Sequence, residues 1–435
     1  MNSADCKQVA PAAAGGNGAV LLPKGFQAGA GTGGLKHNGT PDVGLLVSSG
    51  PATFAAVFTR NQFAAAPVQV DREILQQATA RAVVANAGVA NAITGLRGLA
   101  AARATQEMAA RLLGIPASQV ALASTGVIGQ QLPLEAMEKG VRQAAANLSR
   151  QGGPAFARAI LTTDTRPKIA VRRFRAAGRL VTLTGIAKGA GMIHPQLGTM
   201  LAFLVTDAAM DAQTLQTLLS WAADNSFNMI SVDGDSSTND TVLCLANGMA
   251  PRGEMDGPET TEERPGPAAE EHEAAAPEPL DGHDRRLFAA RLLEVCQELA
   301  IDIAADGEGA TRLLEVKVQG AACEADARQI ARAIVRSSLV KAALFGADPN
   351  WGRILCAAGY AGVPLQPERV CLSLAGIPVV QDGEPLPADA ALLRSKLQQP
   401  RVNVILDLGL GQASATGWGC DLTYEYVRIN AEYHT

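Results

Sequence analysis

Residues 188–201 read KGAGMIHPQLGTML. Glycines and a proline lead into Thr199, and an apolar run, MLAFLVTDA (200–208), follows at once. A hydroxyl between a Gly-rich turn and a buried strand is held firmly and can be approached closely. Gly198 has no Cβ, so its carbonyl is open to attack. Thr199 therefore has the setting for attack on the peptide bond on its own N-terminal side. An N→O acyl shift gives an ester, and hydrolysis then frees Thr199 as a new N-terminus. The released α-amine has an ordinary pKa of about 7.7–8.0. It can serve as general base for its own hydroxyl near neutral pH. Lys188 would lower that amine's pKa by like-charge repulsion.

Strands and helices alternate irregularly around this segment. AVLL (19–22), VGLLVSS (43–49), TFAAVF (53–58), RAVVAN (81–86), VALAS (120–124) and RLVTLTGIA (179–187) have the residue types of strands, as does MLAFLVTDA (200–208). Further strands are expected at 369–376, 401–408 and 421–429. Helical spacing covers about 97–113, 133–149, 211–226, 284–303 and 324–344. The mixture lacks strict βαβ order, which predicts a layered α/β fold with mixed or antiparallel sheets.

The chain has 435 residues, 47% hydrophobic and 18% charged, enough for a real core. Aromatic residues are only 4% and the net charge is −5, against a nucleic-acid binder. Residues 251–283 hold ten acids, two Arg and six Pro, a local charge of −8 whose removal turns the chain's −5 into +3. This stretch reads as a solvated, disordered insertion. Residues 1–17 read as a flexible tail. No secretory signal and no membrane span are expected, and the cytoplasm is the expected location. Seven Cys without a C-x-x-C fit reduced thiols rather than disulfides or a zinc site. The five His (37, 194, 272, 283 and 434) form no metal motif. Gly29-Ala30-Gly31-Thr32-Gly33-Gly34 is formally G-x-G-x-x-G, but LKHNGTPDVG follows it, so a flexible turn is expected rather than a nucleotide cradle.

KGAGMIHPQLGTML resembles the processing-site signature of the ornithine acetyltransferase family (glutamate N-acetyltransferase, of arginine biosynthesis). Six further blocks are similar to that family in order. They are DVGLLVSSGPATFAAVFTRNQFAAAPV (42–68), ASTGVIG (123–129), TTDTRPK (162–168), DGEGAT (306–311), SSLVKAALFGADPNWGRI (337–354) and GWGCDLTYEYVRINAEYHT (417–435). The departures are Gly198 where Ala is usual, Val89 in NAGVAN (86–91), and Gly417 for a usual Ala.

The resemblance implies a layered α/β sandwich of the self-processing, N-terminal-nucleophile acetyltransferase type. It implies cleavage between Gly198 and Thr199 into an α chain ending at 198 and a β chain covering 199–435, assembled as an α2β2 heterotetramer. It further implies ping-pong transfer of acetyl from N2-acetylornithine to glutamate through an acetyl-Thr199, without a cofactor or metal. Thr125 and Gly126 would form the oxyanion hole. Lys188 would meet a substrate carboxylate and Glu308 the ornithine ammonium. Thr162, Thr163, Asn430 and Thr435 would complete the substrate contacts, with N-acetylglutamate and ornithine as products. Acetyl-CoA as a further donor stays open. One rival reading is a self-cleaving amidohydrolase or aminopeptidase that admits water to the acyl-enzyme. The other is a non-catalytic scaffold, for which the acidic insertion is the sole hint.

Overall fold

The computed structural model describes residues 21–36, 38–194, 200–252 and 280–432. Thr199, Gly198, Thr435, the expected tail and most of the acidic stretch lie outside them. The first sheet uses β1 (Phe26–Gly31), β2 (Val43–Phe58), β3 (Thr79–Val89), β4 (Val120–Val127), β5 (Lys168–Ala176), β6 (Arg179–Lys188) and β7 (Leu201–Thr206). After the short β8 (Ile230–Ser231) of the second sheet, β9 (Thr241–Ala246) completes the first. Its order is β4-β3-β2-β9-β7-β6-β5, with β1 on β2. β10 (Leu313–Ala321), β11 (Cys371–Leu374), β12 (Ile377–Gln381), β13 (Glu384–Pro385), β14 (Arg401–Asp407) and β15 (Ala413–Cys420) form the second sheet with β8. Both sheets mix parallel and antiparallel pairs, as expected for a layered α/β fold.

LAFLVT of β7 is buried at all six positions. A strand covered on both faces reads as a continuous apolar run rather than an alternating one. Ala202 and Leu204 face one cluster with Val181 and Leu183 of β6, while Leu201, Phe203 and Val205 face another. The first cluster continues through the helix Ala212–Asp224 and the long helix Gly282–Ala305 to Val316 and Val318 of β10. On the opposite face Phe156 meets Phe203 edge-on, with ring centroids 5.1 Å apart.

β6 and β7 flank the 189–200 segment and pair antiparallel, with Lys188 opposite Leu201. β7 in turn lies parallel to β9, which pairs with β2. The chain entering and leaving residues 189–200 is thus fixed in neighbouring central strands.

Several expectations need correction. Gly29 to Gly31 are not a turn but the end of β1. A Cβ on Gly29 would come 2.2 Å from the Ala144 carbonyl oxygen, and one on Gly31 2.1 Å from that of Gly140. Glycine lets the helix Leu134–Ala146 press its backbone against the strand. The amides of Gly33, Gly34, Leu35 and Lys36 all donate to the Asp42 carboxylate, at 2.6–3.2 Å. A loop whose N–H groups are already committed to a carboxylate has none left for a phosphate. Of AVLL (19–22), the described Leu21 and Leu22 belong to no strand. The two runs at 43–49 and 53–58 are one strand with an irregularity between Val47 and Ala52.

The expected strand at 421–429 is instead a helix, Tyr424–Glu432. The Thr423 hydroxyl accepts from Tyr426 N–H at 3.2 Å, and Arg428 pairs with Glu425 one turn away. Local capping there outweighs β-branched and aromatic content. The expected helix at 324–344 is split at Ser337, whose hydroxyl caps the second piece at Val340 N–H. The helix after the acidic stretch begins at Gly282, capped by Asp281 at 2.9 Å to the His283 and Asp284 amides. Arg252, at the stretch's other described end, bridges Arg179.

The Gly31 contact makes a direct test. Gly31→Ala forces a backbone shift and should cost about 1–3 kcal/mol, read as a lower denaturation midpoint, whereas Gly178→Ala, with open space around it but a strained φ of +67°, tests backbone strain alone.

Candidate active site

Lys188 closes β6 with its side chain buried. Its ammonium donates to Thr162 Oγ1 at 2.7 Å and to Thr125 Oγ1 at 3.3 Å. Thr125 lies near the end of β4, five strands from β6 in the sheet order. In a flat sheet five spacings would separate them by ~24 Å, far beyond a lysine's reach. The contact therefore requires the first sheet to curl until its distant strand ends converge.

Thr162, Thr163 and Asp164 enter from the loop before β5. Asp164 Oδ1 accepts from Gly189 N–H at 2.6 Å and from Lys168 Nζ at 2.7 Å, while Oδ2 lies 3.7 Å from Lys188 Nζ. Burial pushes the Asp164 carboxyl up, but the charges of Lys188 and Lys168 outweigh it and hold it well below the usual carboxylate range. Lys168 is fully buried and also donates to Asp306 Oδ2 at 2.6 Å. Asp306 accepts from the Thr165 amide and hydroxyl. One ammonium thus joins the TTDTRPK loop to the DGEGAT loop, which carries Glu308. Burial lowers the pKa of Lys188, with Asp164 working in the opposite direction.

Glu308 is fixed through its own N–H to the Ala190 carbonyl, at 2.8 Å. Its carboxylate accepts from Asn430 Nδ2 at 2.8 Å. A Cβ on Gly191 would meet that carboxylate at 2.4 Å, so any side chain there would push Glu308 from its place. Gly126 is similarly constrained, with φ +127° and the Gly88 carbonyl carbon 2.3 Å from where a Cβ would stand.

Thr125, Gly126, Thr162, Thr163, Lys188, Glu308 and Asn430 together line a cavity of about 150 Å³. All seven described candidates meet there. Gly198, Thr199 and Thr435 lie outside the described residues, but the chain on either side of Thr199 is clamped. Asp233 accepts from the Met192 and Ile193 amides at 2.5 and 3.0 Å, and Asp240 from Met200 N–H at 3.1 Å. Burial raises Asp233 to about 6.

Sequence reasoning did not single out Asp164, Lys168, Asn239 or Asp240. Asn239 also lines the cavity and donates to the Ala90 and Ser124 carbonyls at 2.7 and 2.8 Å, tying β3's exit to β4. The first two sit inside the TTDTRPK block, but their role depends on burial, which residue types alone do not reveal. His194 is pushed down to about 4, first by burial and then by Arg336 and Arg332, so it is neutral at pH 7. Among the described residues no group of His, Cys, Asp and Glu is placed to hold a metal ion, and no helix is long and apolar enough to cross a membrane.

A family model, the ArgJ family, matches residues 27–435. The chain is similar to an arginine biosynthesis bifunctional protein ArgJ of Synechococcus sp., 47% identical over 429 residues, covering 96% of this chain and 98% of that one. It is also similar to a protein of the same name from Symbiobacterium thermophilum, at 46% over 420 residues, 96% of this chain and 99% of that one. Among solved structures, the Bacillus halodurans arginine biosynthesis bifunctional protein is 39% identical, with a TM-score of 0.46, covering 53% of this chain and 98% of its own. An ornithine acetyltransferase of Mycobacterium tuberculosis, solved with ornithine, is 37% identical, with a TM-score of 0.36, covering 40% and 92%.

The buried ion network is testable by itself. Asp164→Asn leaves Lys168 and Lys188 short of their shared counter-charge and should cost about 3–5 kcal/mol in chemical denaturation. Adding Lys168→Met to that variant should recover part of the loss, a coupling that two independent sites would not show.

Proposed function

The chain belongs to the ArgJ family, and on that premise we propose that its cavity carries out acetyl transfer through Thr199 as an N-terminal nucleophile. It is an acetyltransferase of arginine biosynthesis that moves acetyl from N2-acetylornithine to glutamate. The observation that carries the assignment of residues is the Lys188 ammonium donating to both Thr125 and Thr162 at the wall of a cavity that Glu308 also lines.

That arrangement has chemical consequences. A threonine hydroxyl that accepts from Lys188 keeps its own proton to donate elsewhere. Thr125 Oγ–H, with the Gly126 N–H, is thereby suited to an oxyanion; losing one such donor costs about 100- to 1,000-fold in kcat. Thr199 Oγ attacks the acetyl carbonyl of N2-acetylornithine while its α-amine takes the hydroxyl proton. The C–N bond then breaks, ornithine leaves with that proton, and acetyl-Thr199 remains. Glutamate's amine attacks the ester and regenerates Thr199. One amide is broken and one is made, so no cofactor is required. Lys188 provides positive charge for a substrate carboxylate and Glu308 negative charge for the ornithine ammonium. Thr162, Thr163, Asn430 and Thr435 complete the proposed contacts.

Cleavage between Gly198 and Thr199 would leave β6 in the α chain and β7 in the β chain. Their antiparallel pairing and the β7–β9–β2 ladder support two chains that stay together after the cut. The proposal includes a cytoplasmic α2β2 assembly. The relatives' name contains the word bifunctional, and we assign the second activity to acetyl-CoA as an acetyl donor. The hydrolase alternative is not favoured.

Intact-mass analysis tests the nucleophile: wild type should give two fragments, one beginning Thr-Met-Leu, and Thr199→Ala a single inactive chain. A continuous, active wild-type chain would refute it. With N2-acetylornithine and glutamate the product should be N-acetylglutamate; acetate as the main product would mean hydrolysis. Acetyl-CoA with glutamate should also yield N-acetylglutamate, and no product there would confine the enzyme to acetyl recycling.

A further inference from the structure

The cavity wall is mostly polar, and its two charged side chains are Lys188 and Glu308. Among the described residues that line it, Ile128 and Met192 are the two with large apolar side chains, and each is 37% exposed. Apolar groups left open at the wall of a polar cavity are candidates for contact with the apolar part of a ligand.

The backbone holds Met192 in an unusual way. Its φ is +55°, a left-handed conformation that residues with a Cβ rarely adopt. Such conformations persist only where the surroundings dictate them, and they cluster at ligand clamps. Here the surroundings are explicit. The Ala190 carbonyl accepts from Glu308 N–H at 2.8 Å, and a Cβ on Gly191 would meet the Glu308 carboxylate. The Asp233 carboxylate accepts from the Met192 and Ile193 amides at 2.5 and 3.0 Å. Ile193 is buried, and its carbonyl accepts from Val232 N–H at 2.8 Å. The turn is therefore pinned on both sides of Met192, while the side chain that it presents is left at the open cavity.

This inference rests on the reading of the cavity as the site for N2-acetylornithine and glutamate. The donor carries three methylenes between its Cα and its ammonium, and the acceptor carries two before its distal carboxylate. The charges of Lys188 and Glu308 act over several ångströms, so they discriminate poorly between chains that differ by one methylene. Dispersion and water exclusion act only at contact and do discriminate. We propose that Met192, together with Ile128, is the specificity-determining contact that packs on these methylenes and bounds the chain length the site accepts. Methionine suits the task because it is unbranched, has three rotatable bonds and fills irregular gaps, so one side chain follows both the longer donor and the shorter acceptor. Ile128 is stiff at χ1 and supplies the fixed part of the apolar lining.

The test compares two donors, N2-acetylornithine and its homologue with one more methylene, N2-acetyllysine, each with glutamate as acceptor and N-acetylglutamate as the product measured. Met192→Ala should raise the KM for N2-acetylornithine about tenfold with kcat within about threefold, the pattern of lost uniform binding. The same variant should raise the ratio of kcat/KM for N2-acetyllysine over N2-acetylornithine about tenfold, because the vacated space admits the extra methylene. Met192→Leu, close in volume, should stay within about threefold of wild type on N2-acetylornithine. Ile128→Ala should shift the donor ratio in the same direction, and it lies outside the 189–200 loop, so it decides the matter alone should Met192→Ala fail to fold. A wild-type donor ratio in both alanine variants overturns the proposal, whether both donors keep their wild-type kcat/KM or lose it by one common factor, the latter being the mark of a purely structural role. A wild type that moves no acetyl from N2-acetylornithine overturns the reading of the cavity and this proposal with it, whereas an active wild type with unshifted variants overturns the proposal alone.

Discussion

The Asp164 carboxylate is the point on which the site's geometry hangs. It holds the Gly189 amide that follows β6, the fully buried Lys168, and the ammonium of Lys188. Two buried cations within one network are tolerable only with counter-charges at hydrogen-bond range. Asp164 and Asp306 provide them, and in doing so register two loops distant in sequence against one another. The consequence is a lysine presented to the cavity in a single position, with both neighbouring threonine hydroxyls oriented by it. Precision here comes from charge pairing in a dry environment rather than from rigid backbone alone.

The sheet supplies the second constraint. The chain entering and leaving residues 189–200 is anchored in neighbouring strands. The pairing of Lys188 with Leu201 does this in the middle of the first sheet, where every residue of β7 is buried. Apolar burial on both faces keeps β7 in place without help from the covalent link to β6. Carboxylates then hold the described chain on either side of residues 195–199: Asp164 at Gly189, Asp233 at Met192 and Ile193, and Asp240 at Met200.

Much of this was legible in residue order. The long apolar strands around 179–187 and 200–208 appear where their composition placed them, and seven of the resemblance-derived site residues line one cavity. The failures have identifiable causes. Gly29–Gly31 looked like a turn because glycine's usual role is conformational, whereas here it makes room for a neighbouring helix backbone. TYEYVRI looked like a strand because its side chains favour one, but a threonine cap and an Arg428–Glu425 pair start a helix instead. Asp164, Lys168, Asn239 and Asp240 gave no signal because a charged or amide residue reads as solvated until its neighbours are known.

By itself, the order of residues determined the chemistry on offer: a threonine after a glycine, a lysine ten residues or so before it, and the apolar runs that must be buried as strands. Those are local properties, set by side-chain type and spacing. Only the tertiary structure decided which distant groups share a cavity, because curling of the sheet brings Thr125 to Lys188 and a buried ammonium brings the Thr162 loop to the Glu308 loop. Charge assignments were likewise left to the fold, since desolvation and ion pairing, which no sequence window contains, decide whether an aspartate such as Asp164 or Asp240 is held charged or driven toward its neutral form.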